Sequence, residues 1–237
     1  EFLQERSIVA ADFDDKIHDP AYVKFLLGDE NLDHLRSCLG REGTIFPDNP
    51  LGSTTQISVI DHEGGVVAMT LTNGEGCGCV LSGTGIEVNN LLGEADINPR
   101  GFHTDPPGTH MATMMAPTIA ANTQGDIVAL GSGGSNRLRN AIMMTLCNLI
   151  EYGVTPDEAV LAPRVHVDAA QGGFELNIED ADLQVGVLDQ LSEIFPRPTI
   201  FPGRNMFFGG VHSAFLLDRR LHGVGDPRRG GHSIILP

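Results

Sequence analysis

Thr54 and Thr55, in the stretch PLGSTTQISVID over residues 50–61, are the first side chains whose type and place allow covalent chemistry. A threonine hydroxyl becomes a nucleophile once a base removes its proton. Threonine is also favoured in strands, where its branched Cβ fits a pleated surface. A Thr pair ahead of an Ile-x-Val run therefore reads either as the start of a strand or as a reactive centre, and those residues alone leave both readings open.

A second candidate is GSGGSNR over residues 131–137, which links an apolar run to a helical pattern. Unpaired backbone N–H groups in such a turn form a nest for a small oxyanion or carboxylate. The Walker phosphate loop needs a lysine, and the only lysines are Lys16 and Lys24. The Rossmann GxGxxG and the serine-hydrolase GxSxG are both absent. A tight glycine turn for close backbone approach is the purely structural alternative.

Other chemistry is poorly supplied. His166, His212 and His232 lack ligand spacing and are expected to hydrogen-bond structurally. Asp14 with Asp15, and Asp180 with Asp182, sit in polar stretches that read as solvated faces. Four cysteines, Cys38, Cys77, Cys79 and Cys147, are too scattered for a zinc site or a disulfide scaffold. Neither metal nor cofactor is expected. With 31 acidic against 15 basic residues the net charge is −16, which disfavours phosphate backbones and anionic bilayers. No nucleic-acid or membrane partner is expected, and no run approaches the roughly 20 apolar residues of a membrane span. The 237 residues begin at Glu1 rather than methionine, so a fragment or processed piece is expected and the lack of a signal peptide carries no weight.

Elements must position these groups. Residues 19–40 carry Val23, Leu26, Leu27, Leu32, Leu35 and Leu39 at near-helical spacing, and REGTIFPDNPLGS then reads as a linker. Beyond it, TTQISVID with VVAMTLTN, and APTIAAN with DIVALGS, predict two hairpins. Neither pair alternates strictly, which predicts strands covered on both faces. Leu138, Ile142, Leu146 and Leu149 mark a mostly buried helix, thickened by Met143 and Ile150 and ended by Gly153. Thr155, Pro156 and Glu158 make a capping box for a second helix stopped by Pro163. FELNIE, a short helix around LQVGVLDQLSEIF, and strands MFFGGVHSAFLLD and LHGVGDP complete a layered α/β or α+β body.

The order GSTTQISVID, GTGIEVNNLLGE, TMMAPTI, GSGGSNR, APRVH and GDPRRGG resembles the small subunit of the γ-glutamyltranspeptidase family. The resemblance covers residues 54–237, and residues 1–53 resemble the tail of the family's large subunit, whose bulk is missing. It implies an α+β fold, the αββα four-layer sandwich of N-terminal-nucleophile hydrolases, of which this chain supplies part. It further implies a self-cleaving precursor whose cut precedes Thr54, and a heterodimer with the large subunit acting on a γ-glutamyl small molecule or peptide. The freed α-amine, with a pKa of about 7.7–8.0, then serves as the base for the Thr54 hydroxyl.

Carried over residue by residue, the resemblance makes Thr72 the supporting threonine and Gly133 with Gly134 the oxyanion turn. Asn73 is the nearest match to the group that binds the substrate α-carboxylate. Glu94 stands where the family has an Asp for the α-amine, in N-N-L-L-G-E, and Thr113 is the hydroxyl that survives the family's Ser-Ser position. The arginine completing that grip belongs to the missing part, while Arg164 and Arg228 are expected in structural ion pairs. These departures touch substrate more than class. An amidase of cephalosporin- or glutaryl-acylase type, or an unprocessed non-catalytic homologue, stays open. The resemblance implies a periplasmic or extracellular setting, with a cytoplasmic one also open.

Overall fold

The computed structural model describes residues 54–77, 81–94, 97, 98, 100–110, 112–170, 173–195 and 197–236. The expected helix and linker before residue 54 lie outside them. The chain divides into two compact units, one of residues 1–51 and 76–90, the other of 52–75 and 91–237. Within the described part of the first, Leu81 N–H donates to the Ile86 carbonyl at 2.9 Å and Cys77 N–H to that of Val88 at 3.1 Å, closing a tight loop.

The second unit holds three sheets. Strands β1 (Thr55–Ile60) and β2 (Val66–Leu71) form the first expected hairpin. Strands β3 (Thr118–Ala121) and β4 (Ile127–Gly133) form the second, extended by β8 (Gly210–Leu217) and β9 (Arg220–Gly225) into an antiparallel sheet ordered β3-β4-β8-β9. Strands β5 (Val165–Ala170), β6 (Gly173–Glu179) and β7 (Thr199–Phe201) make the third, with β6 and β7 parallel. Helices are α1 (Leu138–Ile150), α2 (Pro156–Leu161) and α3 (Val187–Ile194).

The four-stranded sheet is covered on both faces, and period-two alternation explains how. Leu130 of β4 joins Ala141 and Ile142 of α1, Val160 of α2, Val211 and Phe215 of β8 and Val224 of β9 in one buried core. Gly131 points the opposite way, where an added Cβ would collide with the Gln56 amide of β1. Gln56 is itself buried and satisfied, accepting from Thr70 Oγ1 at 2.6 Å and donating to Ser58 Oγ at 3.0 Å. Ser58 in turn donates to the His212 carbonyl of β8 at 3.0 Å, tying hairpin to sheet.

Some expectations change. β4 is covered on both faces as read, but β1 and β2 alternate in burial, and their outward set of Ile57, Val59, Val67, Met69 and Leu71 is 42–51% exposed. In α1, Leu138 and Ile142 are buried, whereas Met143 and Ile150 stand on the exposed face. Seven residues apart, those two share one face, about 80–100° around the helix from Ile142, so an apolar type there does not widen the stripe. Gly153, at φ 62°, takes the left-handed turn that ends α1, with Val154 N–H returning to the Asn148 carbonyl. The capping box of α2 forms as read, Thr155 N–H donating to Glu158 Oε2 at 2.9 Å. The strand expected from Met206 starts only at Gly210. Asn205 caps a single 3₁₀ turn, Met206–Phe208, and Gly209 at φ 79° breaks the chain direction.

Candidate active site

The first hairpin brings the two threonines together by register. Asp61 Oδ1 accepts from Glu63 N–H at 2.9 Å and Gly65 N–H at 2.7 Å, and Gly64 takes φ 88°, which fixes the turn. The ladder then pairs Ile60 with Val66 and ends with Thr55 opposite Leu71. One further step sets Thr54 opposite Thr72. Their hydroxyl oxygens lie 2.8 Å apart, and Thr72 Oγ1 also accepts from Gly74 N–H at 3.0 Å.

The glycine turn closes on the same point from β4. A Cβ added at Gly133 would sit 2.5 Å from the Thr54 carbonyl oxygen, so the backbone of β4 runs directly against the threonine. Gly134, at φ 133°, faces Gly209, whose Cα would be 2.7 Å from such an added atom. A side chain fits neither place, and L-residues rarely adopt the second conformation. Ser132 locks the turn from beneath, its hydroxyl donating to the Gly133 carbonyl at 2.7 Å and accepting from Gly210 N–H at 3.1 Å. The 3₁₀ turn Ser135–Arg137 follows, with Arg137 N–H donating to the Gly134 carbonyl at 3.0 Å.

Gly133→Ala is therefore expected to push Thr54 off its position. Displacement near 1 Å costs about 100-fold in a positioned reaction, and comparing single-turnover rates of variant and parent reads it. A rate within threefold of the parent counts against the close packing.

Three other candidates are tied locally. Asn73 follows Thr72 and bridges to Glu75. Glu94 leaves the 3₁₀ turn Leu91–Gly93, its N–H donating to the Leu91 carbonyl at 3.1 Å and its carbonyl accepting from Asn98 Nδ2 at 2.7 Å. Thr113 is exposed, its hydroxyl accepting from Met115 N–H at 3.1 Å. Thr54, Thr72 and Gly133 are joined by direct proximity, whereas no described contact joins Glu94 or Thr113 to Thr54.

Behind the turn lies a buried quartet of charges. Arg164 Nη2 donates to Asp226 Oδ2 at 2.7 Å, and Arg228 grips Glu179 with Nε at 2.7 Å and Nη2 at 2.6 Å. Arg164 also reaches the Phe208 carbonyl at 3.2 Å, and Asp226 accepts from Val211 N–H at 3.0 Å. The quartet thus holds both ends of the Gly209–Gly210 segment that backs the oxyanion turn. Burial alone pushes the Asp226 carboxyl up, but Arg164 and Arg228 outweigh it and hold it below the usual carboxylate range. The expectation of structural ion pairs for Arg164 and Arg228 matches this geometry. His166 Nε2 lies 3.0 Å from Asp168 Oδ1, and His212 Nδ1 accepts from Asp226 N–H at 3.3 Å while burial pushes its pKa down.

Sequence reasoning passed over Ser132, Arg137, Asp226 and Arg229. The double arginine of GDPRRGG was the available signal, since adjacent residues in a turn serve different surroundings: Arg228 turns into the quartet, and Arg229 lies along Gly210, Gly133 and Gly134. Among the described residues no group of three His, Cys, Asp or Glu is arranged to hold a metal ion, and no helix is long and apolar enough to cross a membrane.

The family model described as Gamma-glutamyltranspeptidase matches residues 3–236. The glutathione hydrolase proenzyme of Pseudomonas sp. (strain A14) is 29% identical over 137 residues, covering 51% of this chain and 23% of that protein. The acylase ACY 1 proenzyme of Pseudomonas sp. (strain SE83) is 35% identical over 174 residues, covering 69% and 30%. The chain thus spans under a third of the length of these relatives. Among solved structures, the gamma-glutamyltranspeptidase from Pseudomonas nitroreducens complexed with L-DON superposes with a TM-score of 0.63 at 24% identity, over 77% of this chain and 100% of that one. The α+β layers described above are accordingly part of the N-terminal-nucleophile hydrolase sandwich. Over nearly its whole length, this chain belongs to the gamma-glutamyltranspeptidase family.

Proposed function

We propose that residues 54–237 are the catalytic subunit of an enzyme that transfers or hydrolyses γ-glutamyl groups through an ester on Thr54, released by autocatalytic cleavage before that residue. Residues 1–53 are then the tail of a large-subunit region, and the remainder of that region is the partner in a heterodimer. The observation that carries this reading is the 2.8 Å approach of the Thr54 and Thr72 hydroxyls beside Gly133. Membership of the family and the relation to a glutathione hydrolase proenzyme support it.

In turnover, the freed α-amine of Thr54 takes the proton from Oγ as Oγ attacks the γ-carbonyl of the donor. The N–H groups of Gly133 and Gly134 receive the developing oxyanion, where one donor is worth about 2.7–4 kcal/mol. The departing amine takes the proton held by the Thr54 α-amine, leaving an ester that water or an acceptor amine opens. Thr72, held by Gly74 N–H, fixes the nucleophile's rotamer. Asn73 and Thr113 are assigned to the donor α-carboxylate and Glu94 to its α-amine.

Intact mass of the purified protein, together with release of amine from a γ-glutamyl anilide, tests the proposal. A species beginning at Thr54 that turns over the anilide is expected. An uncut, inactive chain with its large-subunit partner present refutes it.

A second reading, an amidase of glutaryl- or cephalosporin-acylase type, is favoured by the relation to an acylase proenzyme. Glu94→Gln discriminates. If Glu94 pairs the donor α-ammonium, kcat/KM for γ-glutamyl anilide is expected to fall roughly 10- to 100-fold, while a glutaryl anilide, lacking the amine, is nearly unaffected. Equal losses on both make Glu94 structural.

A further inference from the structure

Asn73 and Gly74 carry a reaction that acyl transfer does not use. Of all the asparagines in the chain, only Asn73 is followed by glycine. An asparagine side chain can be attacked by the next peptide nitrogen, which closes a five-membered ring on Cγ, and this makes asparagine one of the thermolabile residue types. A side chain on the following residue obstructs the closure. Glycine has none, and Gly74, at φ 66°, holds a left-handed conformation that other residues rarely adopt. The residue that permits the ring is therefore also the one the turn requires.

One hydroxyl restrains that nitrogen. Gly74 N–H donates to Thr72 Oγ1 at 3.0 Å. The nitrogen attacks only after giving up its proton, and a hydrogen bond made by the neutral N–H disfavours the ionised form. Gly74 is buried, whereas Asn73 is half-buried and Glu75 exposed, so the side-chain amide keeps access to water. The same Thr72 oxygen lies 2.8 Å from Thr54 Oγ1. It thus touches the nucleophile on one side and the backbone of the asparagine loop on the other.

We propose that Asn73 is a site of spontaneous modification, gated by the Thr72 hydroxyl, whose conversion to a carboxylate ends the activity of an aged molecule. The Gly74 nitrogen loses its proton to water and bonds to Asn73 Cγ. The Cγ–Nδ2 bond then breaks, Nδ2 takes a proton back from solvent, and ammonia leaves a succinimide. One water opens that ring. Cleavage of the new N–Cγ bond gives aspartate, and cleavage at the Asn73 main-chain carbonyl gives isoaspartate, with the chain rerouted through Cγ. Both products set a carboxylate where the proposed function assigns Asn73 to the donor α-carboxylate, so like charges meet. The loss of activity rests on that reading; the conversion itself does not.

Peptide mapping by mass, with an isoaspartate assay, follows Asn73 in the purified protein during storage in mildly alkaline buffer. Parent, Thr72→Ser, Thr72→Val and parent unfolded in urea are compared. Thr72→Ser keeps the acceptor and is expected to convert as slowly as the folded parent. Thr72→Val keeps the branched shape without the acceptor and should convert roughly 2- to 10-fold faster, the equivalent of one hydrogen bond. The unfolded parent should be fastest. Equal rates for Thr72→Val and Thr72→Ser, a folded parent as fast as the unfolded one, or no conversion in urea each overturns the proposal. Hydrogen exchange at the Gly74 amide of the parent needs no variant: slow exchange is expected, and exchange at the unfolded rate overturns the gate. Asn73→Asp, made directly, should lower kcat/KM for a γ-glutamyl anilide roughly 10- to 100-fold, the range for a hydrogen bond to a charged group; full activity there overturns the loss of function. Absence of acyl transfer from the parent overturns only the proposed function, because mass reads the conversion without it.

Discussion

Replacing Thr54 by alanine is expected to leave the precursor as one uncut chain and to abolish acyl transfer, the largest effect on activity of any single change. Two reactions depend on the same oxygen. In the proposed maturation, Thr54 Oγ attacks the Ser53 carbonyl, the peptide nitrogen of Thr54 leaves as the free α-amine, and water opens the resulting ester to free the hydroxyl and the Ser53 carboxylate. Gly52, two residues before the cut, allows the turn that such an N-to-O shift requires. In the proposed turnover, the same amine, no longer tied up in the Ser53 amide, is the base for the Thr54 hydroxyl. Removing a nucleophile of this kind costs on the order of 10⁴- to 10⁶-fold.

Neighbouring substitutions sort the contributions. Thr54→Ser keeps the hydroxyl and the latent amine, so it is expected to cut and react more slowly, without the methyl group to limit the rotamer. Thr72→Ala removes the 2.8 Å partner and with it the Gly74 N–H bond; slowed cutting and a lowered kcat with little change in KM are expected. Intact mass over time and single-turnover rates measure all three. Normal cutting of the Thr54→Ala precursor would falsify the assignment of the nucleophile.

The resemblance named Thr72, and its meeting with Thr54 is local: with residues 62–65 as the turn between two apolar runs, register sets the two opposite each other. The capping box of α2 was legible for the same reason, since its partners lie three residues apart. Long-range chemistry was not. Asp226 meets Arg164 across 62 positions, and Glu179 meets Arg228 across 49, so no window of sequence contains either pair. A run such as MFFGGVHSAF is apolar enough for a strand throughout. Only the Asn205 cap and the positive φ of Gly209 decide where the strand begins. The resemblance supplied roles for Glu94 and Thr113 by alignment, but their described contacts are local, and no spacing rule in sequence carries a loop residue to a site.

Asp226→Ala is expected to be the most damaging single change to the folded state. The carboxylate is fully buried between Arg164 and Arg228 and accepts the Val211 and Arg228 N–H groups as well. Alanine leaves the buried Arg164 guanidinium without its hydrogen-bonded counter-ion, while Arg228 keeps Glu179. Breaking a buried pair from one side costs about 3–5 kcal/mol, because the desolvated partner remains. Urea unfolding at pH 7, with the midpoint multiplied by an unchanged slope, reads that cost. A loss under about 1 kcal/mol counts against the quartet as a brace.

The same carboxylate predicts the acid limb. Its native pKa is depressed relative to the unfolded value of about 3.9, so its contribution is fully present above that value and is lost as pH falls through the lower native one. Parent stability should therefore hold from pH 7 to about 5 on this account and fall below about 4, with Asp226→Asn showing a shallower acid limb from an already lower plateau. The quartet also reaches the active site. Arg164 holds the Phe208 carbonyl and Asp226 holds Val211 N–H, bracketing the glycines against which Gly133 and Gly134 are packed. Where Asp226→Asn still folds, kcat is expected to fall with KM nearly unchanged, since a displaced oxyanion turn loses contacts made only in the transition state.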